Sequence, residues 1–113
     1  MTLKEITEKI GLDILTARDM LETEVTNGYT SDLLSDVMAH TKHGDIWITL
    51  QIHQNIVAVA KLKELSGIIV VNGRKPEEDT LKKAEEEKVP LMTTQDPAFV
   101  ISGKLYRLIG PKD

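Results

Sequence analysis

Residues 67–71 read GIIVV and decide the fold class. Such a continuous apolar, β-branched run is typical of a strand that is buried on both faces of a sheet. Helical patterns flank it at 55–62 and 77–88, and short strands are expected beyond them at 45–50 and 90–93. Alternation of short apolar strands with helices predicts a parallel sheet covered on both faces, with right-handed crossovers.

The amino-terminal part of the chain is expected to form shorter elements. Thr2, with a glutamate three residues later, has the spacing of a capping box, and Gly11 stands where the first helix ends. Short strands are expected at 12–15 and 22–26, and an Asn-Gly turn at 27–28 ends the second of them.

Two further helices complete the prediction. One covers 33–39 and is capped by Ser31 or Asp32, and the last begins at 96–97. The apolar set of the last helix is Phe99, Val100, Leu105, Leu108 and Ile109. We therefore predict one domain over residues 1–113, a three-layer α/β/α fold with a mostly parallel sheet of four to five short strands.

Composition limits the function classes. The chain has 41% apolar residues, which suffices for a core, and it has no cysteine, so disulfides and thiolate chemistry are excluded. A net charge of −4 without a basic stripe disfavours nucleic-acid binding. No stretch approaches the roughly 20 apolar residues of a membrane helix, and the amino terminus lacks a secretory signal. A cytoplasmic protein that contacts neither nucleic acid nor membrane is expected.

Three polar loops follow the predicted strands at 45–50, 67–71 and 90–93. In open α/β sheets, ligands bind outside the carboxyl ends of the strands, where helix N-termini favour anions. Arg74 and Lys75 would add positive charge there. The candidate ligand-binding residues are Gln51, His53 and Asn55 in the first loop, Asn72, Gly73 and Arg74 in the second, and Thr93 and Thr94 in the third. The expected ligand is a small anionic or nucleotide-like metabolite.

The same residues also admit purely structural roles. Asn55, Thr94 and Asp96 would serve as helix caps, and Gly73 would supply a turn. His53 is the only histidine in the expected crevice, where it would donate a hydrogen bond to a ligand. No metal or cofactor is expected, because the one conceivable set, His40, His43 and Asp45, has a spacing that is common by chance.

Catalytic signatures are missing from the sequence. It has no phosphate-binding G-x-x-x-x-G-K-[ST] loop, no G-x-G-x-x-G after a strand and no G-x-S-x-G elbow. The acidic run at 85–87 spans three consecutive helical positions, whose side chains point in different directions. We therefore expect a protein that is not an enzyme.

Residues 45–49, 71–73 and 93–94, together with 28–34 upstream, resemble the DRTGG domain family over essentially the whole chain. The resemblance implies a fold similar to the N-terminal domain of HPr kinase/phosphorylase, without that protein's kinase P-loop, and frequent dimerisation. Domains of this kind occur alone, beside CBS domains in a regulated pyrophosphatase and in phosphotransacetylase-type proteins. Standalone versions also occur with iron-only hydrogenase systems, which implies regulation of redox metabolism.

The family motif itself is altered in this chain. Its Asp-Arg pair would fall at 51–53, where neither residue type is present, and of its Thr-Gly-Gly only Gly73 matches. The adenine nucleotides linked to CBS-containing members are therefore not transferred to this chain. We expect a regulatory, ligand-sensing homodimer with self-association surface on the helix at 56–62. The alternative is an interaction module that docks on a partner enzyme or kinase without any small-molecule ligand.

Overall fold

A five-stranded sheet between two layers of helices forms the protein in the computed structural model, which describes residues 1–111. The predicted three-layer α/β/α class is confirmed. The helices are α1 (Leu3–Ile10), α2 (Leu34–His40), α3 (Asn55–Leu62), α4 (Glu78–Glu86) and α5 (Ala98–Ile109), and a 3₁₀ turn covers Arg18–Met20. The strands are β1 (Asp13–Ile14), β2 (Asn27–Thr30), β3 (Asp45–Thr49), β4 (Gly67–Val70) and β5 (Leu91–Thr93).

The strand order is β1-β5-β4-β3-β2, so β4 is central, as the apolar run at 67–71 predicted. Strands β2 to β5 are parallel, and only β1 is antiparallel to its neighbour. Alternate side chains of β4 enter two separate cores. Ile68 and Val70 pack with α2, α3 and α4, whereas Ile69 packs with α1 and α5. All three side chains are fully buried.

The first helix forms as the sequence predicted. The Thr2 side chain accepts a hydrogen bond from the Glu5 N–H, and the Glu5 carboxylate accepts one from the Thr2 N–H. Gly11 ends the helix with φ of 71°, a left-handed conformation that glycine adopts without strain. Leu3 and Ile6 of this helix pack with Ile101 and Leu105 of α5 on one face of the sheet.

The strand predicted at 22–26 and the turn predicted at 27–28 are wrong. Glu24 forms only an isolated bridge with Thr2, and Asn27 begins β2. Gly28 is required for packing instead of turning, because a Cβ atom there would lie 2.7 Å from Cδ2 of Leu105 in α5. The glycine lets α5 lie close against the edge of the sheet.

Two predictions about helix surfaces are also wrong. The N-cap of α2 is Leu33, whose N–H is bound by the Ser31 hydroxyl, and Asp32 does not cap this helix. Phe99, assigned to the apolar face of the last helix, is 89% exposed, and the buried residues of α5 are Ile101 and Leu105. In the described part of the chain, no helix is long and apolar enough to cross a membrane.

Candidate functional site

The loops after β3, β4 and β5 lie side by side, because these three strands are parallel neighbours in the sheet. We call this end of the sheet the carboxyl edge, and its loops cover residues 50–54, 71–77 and 94–97. All eight candidate ligand-binding residues lie within these loops or directly beside them. The eight residues that the sequence assigned to the carboxyl ends of the strands therefore lie at one end of the sheet in the structure.

The second and third loops are joined by backbone hydrogen bonds. The N–H of Asn72 donates to the Asp96 carbonyl at 3.0 Å, and the N–H of Gly73 donates to the Thr94 carbonyl at 2.9 Å. Asn72 and Gly73 both have positive φ, at 62° and 65°. Any side chain at position 73 would collide with the Gln95 side chain. Gly73 therefore supplies a turn, and its backbone N–H is already bound.

The first and second loops are joined by side chains. Arg74 Nη1 donates to the Leu50 carbonyl at 2.6 Å. The Ile52 carbonyl accepts from the Thr80 hydroxyl at 2.6 Å and from the Glu77 N–H at 3.2 Å. Arg74 thus fixes the loop after β3 and keeps the remaining donors of its guanidinium group for other acceptors.

His53 forms a pair with Glu77 that the sequence did not reveal. His53 Nδ1 lies 2.9 Å from Glu77 Oε2, and both side chains are about half exposed. A carboxylate on Nδ1 places the proton there and leaves Nε2 as the ring nitrogen available to a ligand. The sequence places Glu77 at the start of the predicted helix at 77–88, and no spacing rule links it to a histidine 24 positions earlier.

Asp32 is the second site residue that the sequence assigned differently. Its carboxylate accepts from the Thr49 hydroxyl and the Leu50 N–H, and its carbonyl accepts from Gln51 Nε2 at 2.8 Å. Gln51 therefore holds the loop after β2 to the loop after β3. Residues 30–32, TSD, have the composition of a helix cap. The contacts of Asp32 arise instead because β2 lies beside β3 in the sheet.

The predicted helix caps at Asn55, Thr94 and Asp96 are wrong. The N-cap of α3 is Gln54 and that of α5 is Pro97, and neither makes a side-chain capping bond. Asn55 is exposed, and the Asp96 carboxylate pairs with Lys104 at 2.9 Å. The buried Thr94 hydroxyl accepts from the Asp96 N–H at 3.2 Å, and Thr93, at the end of β5, is half-buried.

Charge is unevenly distributed along the carboxyl edge. Arg74 and Lys75 supply the cationic groups, and His53 lies beside them as a hydrogen-bonding group; all three are exposed. Helix α4 begins with Glu78 and Asp79, so its N-terminus would repel an anion. Helices α3 and α5 have no acidic residue in their first turns. In α3, however, the Ile56 and Val57 N–H groups already donate to the His53 and Gln54 carbonyls, so the N-terminus of α5 is the better partner for negative charge.

The cavities of the described residues lie away from the candidate residues. The largest, about 710 Å³, lies at the opposite end of the sheet between the segments that precede β3, β4 and β5. Another, about 140 Å³, lies between β2 and α5. A third, about 200 Å³, lies on the outer side of α3 and α4. The carboxyl edge is thus a surface of loops, and a ligand there would be held by groups along one side.

A second titratable cluster lies on α2 and β2. Tyr29 donates its hydroxyl to Asp36 at 2.9 Å, and His40 Nδ1 lies 3.0 Å from the other Asp36 oxygen. The Tyr29 and His40 rings are stacked. Hydrogen bonds from Ser31 and Tyr29 lower the pKa of Asp36, and the bond to Asp36 raises the pKa of Tyr29. Asp45, the acidic residue that follows this cluster in sequence, accepts from the Lys42 N–H at 2.9 Å.

Comparisons with known proteins identify the fold. No family model matches the chain, and no curated protein matches it. A similar solved structure is the crystal structure of the CBS and DRTGG domains of the regulatory region of Clostridium perfringens pyrophosphatase, complexed with the activator diadenosine tetraphosphate. The TM-score is 0.69, with 18% identity over 96% of this chain and 46% of that chain.

The chain therefore has the fold of part of that regulatory region. At this identity the similarity concerns the fold alone, and this chain spans less than half of the length of the pyrophosphatase fragment. The DRTGG-like architecture that the resemblance implied is supported at the level of the fold.

Proposed function

We propose that the chain is a non-catalytic regulatory domain that senses a small anionic, nucleotide-like molecule at the carboxyl edge. The observation that carries the proposal is the assembly of three polar loops around His53, Arg74 and Lys75 at one end of a parallel sheet. The fold similarity supports it, because the related regulatory region is complexed with a nucleotide activator. Membership of the DRTGG family and action as a homodimer belong to the same proposal.

Each candidate residue has a role in this proposal. Arg74 and Lys75 neutralise the anion, and His53 offers Nε2 as a donor or acceptor according to its protonation. Asn55, at the start of α3, binds one end of the ligand through its side-chain amide. The remaining contacts come from Gln51, Asn72, Thr93 and Thr94, and Gly73 supplies the turn that positions Asn72 and Arg74. The acidic start of α4 directs negative charge toward α3 and α5.

Isothermal titration calorimetry with ATP, AMP, diadenosine tetraphosphate and inorganic phosphate tests the proposal. We expect at least one nucleotide to bind, and we expect Lys75→Gln and His53→Ala to weaken it about tenfold each, as for lost charge-assisted hydrogen bonds. Lys42→Gln, at an exposed position that precedes β3 at the opposite end of the sheet, is the matched charge control and should leave binding unchanged. Absence of heat at millimolar nucleotide, or equal loss in the control, would contradict the proposal.

The second candidate function is an interaction module that docks on a partner enzyme without a ligand. Exposed large apolar side chains favour it, among them Leu62 at 67% and Phe99 at 89% exposure. The absence of the candidate residues from the three described cavities points the same way. A silent nucleotide titration, together with partner binding that Leu62→Ser or Phe99→Ser abolishes, would favour this function. The hydrogenase setting has no support in the fold or the comparisons and is not part of either proposal.

A further inference from the structure

Strand β2 has an open edge. It pairs with β3 on one side, and no strand of residues 1–111 pairs with its other side. An open edge presents unpaired N–H and C=O groups, and proteins normally protect such edges with charged residues, proline or a covering segment. Residues 26–31 read TNGYTS and contain neither charge nor proline, although 28% of the chain is charged. The edge lacks the usual protection within its own strand.

A cavity of about 140 Å³ lies directly beside this edge. Its β2 side is formed by Gly28 and Thr30, and its apolar walls include Ile48, Leu105 and Ile109. An apolar cavity of about 150 Å³ holds a molecule of benzene, so the space beside β2 accommodates one aliphatic side chain. The open edge thus combines main-chain hydrogen-bonding groups with a side-chain pocket.

Helix α5 extends the apolar surface along the same edge. Phe99 and Tyr106 stand at helical spacing with Ser102 and Ile109, which line the cavity, so the four residues follow one flank of the helix. Phe99 is 89% exposed and Tyr106 is 60% exposed. None of the four is charged. A strand laid along β2 would cover this flank.

We propose that the β2 edge binds an extended, uncharged segment of a partner protein, which adds a sixth strand to the sheet and places one aliphatic side chain in the cavity. Strand addition of this kind takes affinity from main-chain hydrogen bonds and specificity from pockets for alternate side chains. The edge lies apart from the loops at 50–54, 71–77 and 94–97. Peptide binding at this edge and ligand binding at the carboxyl edge therefore involve different residues and can be measured separately.

A second copy of this chain fits the edge less well than a foreign segment. Gly28 lies against Leu105 and the Thr30 hydroxyl lies 2.7 Å from that of Ser102, so these two positions face α5. Tyr29 faces α2 through its bond to Asp36. A β2 strand from a second copy would therefore offer only glycine and threonine to the cavity and leave its apolar walls uncovered.

A designed peptide tests the proposal. The probe is an acetylated and amidated peptide of alternating threonine and valine with a lysine at each end, titrated into uniformly ¹⁵N-labelled protein. We expect saturable binding that shifts the backbone amide signals of residues 27–30 and 102–109. Replacing the central valine by glycine should weaken binding at least tenfold, because the cavity then remains empty. Methylating the peptide nitrogens that face β2 should abolish binding, because it removes main-chain donors. Methylating the alternate nitrogens, which face away from β2, should leave binding unchanged.

A variant pair tests the location. Ser102→Phe fills the cavity and should weaken the valine peptide at least tenfold. Gly103→Ala lies on the same helix, where an added methyl group meets open space, and should leave binding unchanged. Thermal unfolding confirms that both variants are folded.

Three outcomes would overturn the proposal. The first is absence of saturation at several millimolar peptide, and the second is a set of amide shifts remote from β2 and α5. The third is a dimer of the free protein, seen by sedimentation velocity, that Ser102→Phe dissociates, because the edge would then belong to a second copy. A negative nucleotide titration leaves these results unaffected, so failure of the ligand proposal is distinguishable.

Discussion

The carboxylate of Asp32 accepts a hydrogen bond of 2.9 Å from the hydroxyl of Thr49. The same oxygen accepts from the Leu50 N–H at 2.7 Å, where the chain leaves β3. Thr49 is buried, so its hydroxyl depends on this acceptor. One exposed residue after β2 therefore positions the first loop of the carboxyl edge.

Asp32→Ala should lower the free energy of unfolding by about 1–3 kcal/mol, because the Thr49 hydroxyl and the Leu50 N–H both lose their acceptor. Urea denaturation monitored by circular dichroism measures the change. Asp13→Ala removes an exposed carboxylate from β1 and should change stability by less than about 0.5 kcal/mol. Equal stability of the two variants would mean that Asp32 does not hold the loop.

The bonds around Asp36 predict an acid-sensitive contribution to stability. Hydrogen bonds from Ser31 and then Tyr29 lower the pKa of Asp36 below 3.8 in the folded protein. A lowered folded-state pKa stabilises the protein above the pKa of the unfolded chain, and this stabilisation is lost as pH falls through the folded-state pKa. The stability difference between wild type and Asp36→Asn should therefore shrink as pH falls below about 4.

Urea unfolding at a series of pH values measures this difference. Tyr29→Phe removes one of the hydrogen bonds to Asp36 and should remove part of the pH dependence. Parallel pH profiles for wild type and Asp36→Asn would contradict the assignment.

The second half of the fold could be predicted because its signals are local. The apolar run at 67–71, the strand at 45–50 and the charged helix after Pro76 each identify themselves within a short window, and β4 is indeed central. Strand β2 could not be predicted in this way. Asn27-Gly28 has the composition of a turn, and the need for glycine comes from Leu105, far along the chain.

The sequence predicts the location of the candidate site but not the contacts within it. Parallel strand order brings the three loops together, so their positions follow from the alternation of strands and helices. The contacts within the site do not follow. His53 pairs with Glu77, and Asp32 pairs with Thr49. The relative positions of the segments that carry these residues depend on how the whole sheet packs. Local capping rules predict helix caps at Asp32 and Asp96. In the structure, Asp32 binds Thr49 and Leu50, and Asp96 pairs with Lys104.

The central position of β4 predicts an intolerant site at Val70. The side chain is fully buried in the core beneath α3 and α4, so Val70→Asp would bury a charge without a partner. We expect this variant not to fold, with poorly dispersed amide proton NMR signals and no cooperative unfolding transition. Leu62→Asp, at an exposed position on α3, should fold normally. A soluble Val70→Asp protein with cooperative unfolding would contradict the sheet order.

The contact between Gly28 and Leu105 predicts a coupled pair. Gly28→Ala should lower the free energy of unfolding by about 1–3 kcal/mol, because the new methyl group overlaps the Leu105 side chain. In a Leu105→Ala background the same substitution should cost less than half as much, since the overlapping atoms are gone. Gly103→Ala is the control, and it should stabilise α5 by about 0.5–1 kcal/mol because nothing opposes its methyl group. Equal costs of Gly28→Ala in both backgrounds would show that the β2 backbone, and not the approach of α5, requires glycine at this position.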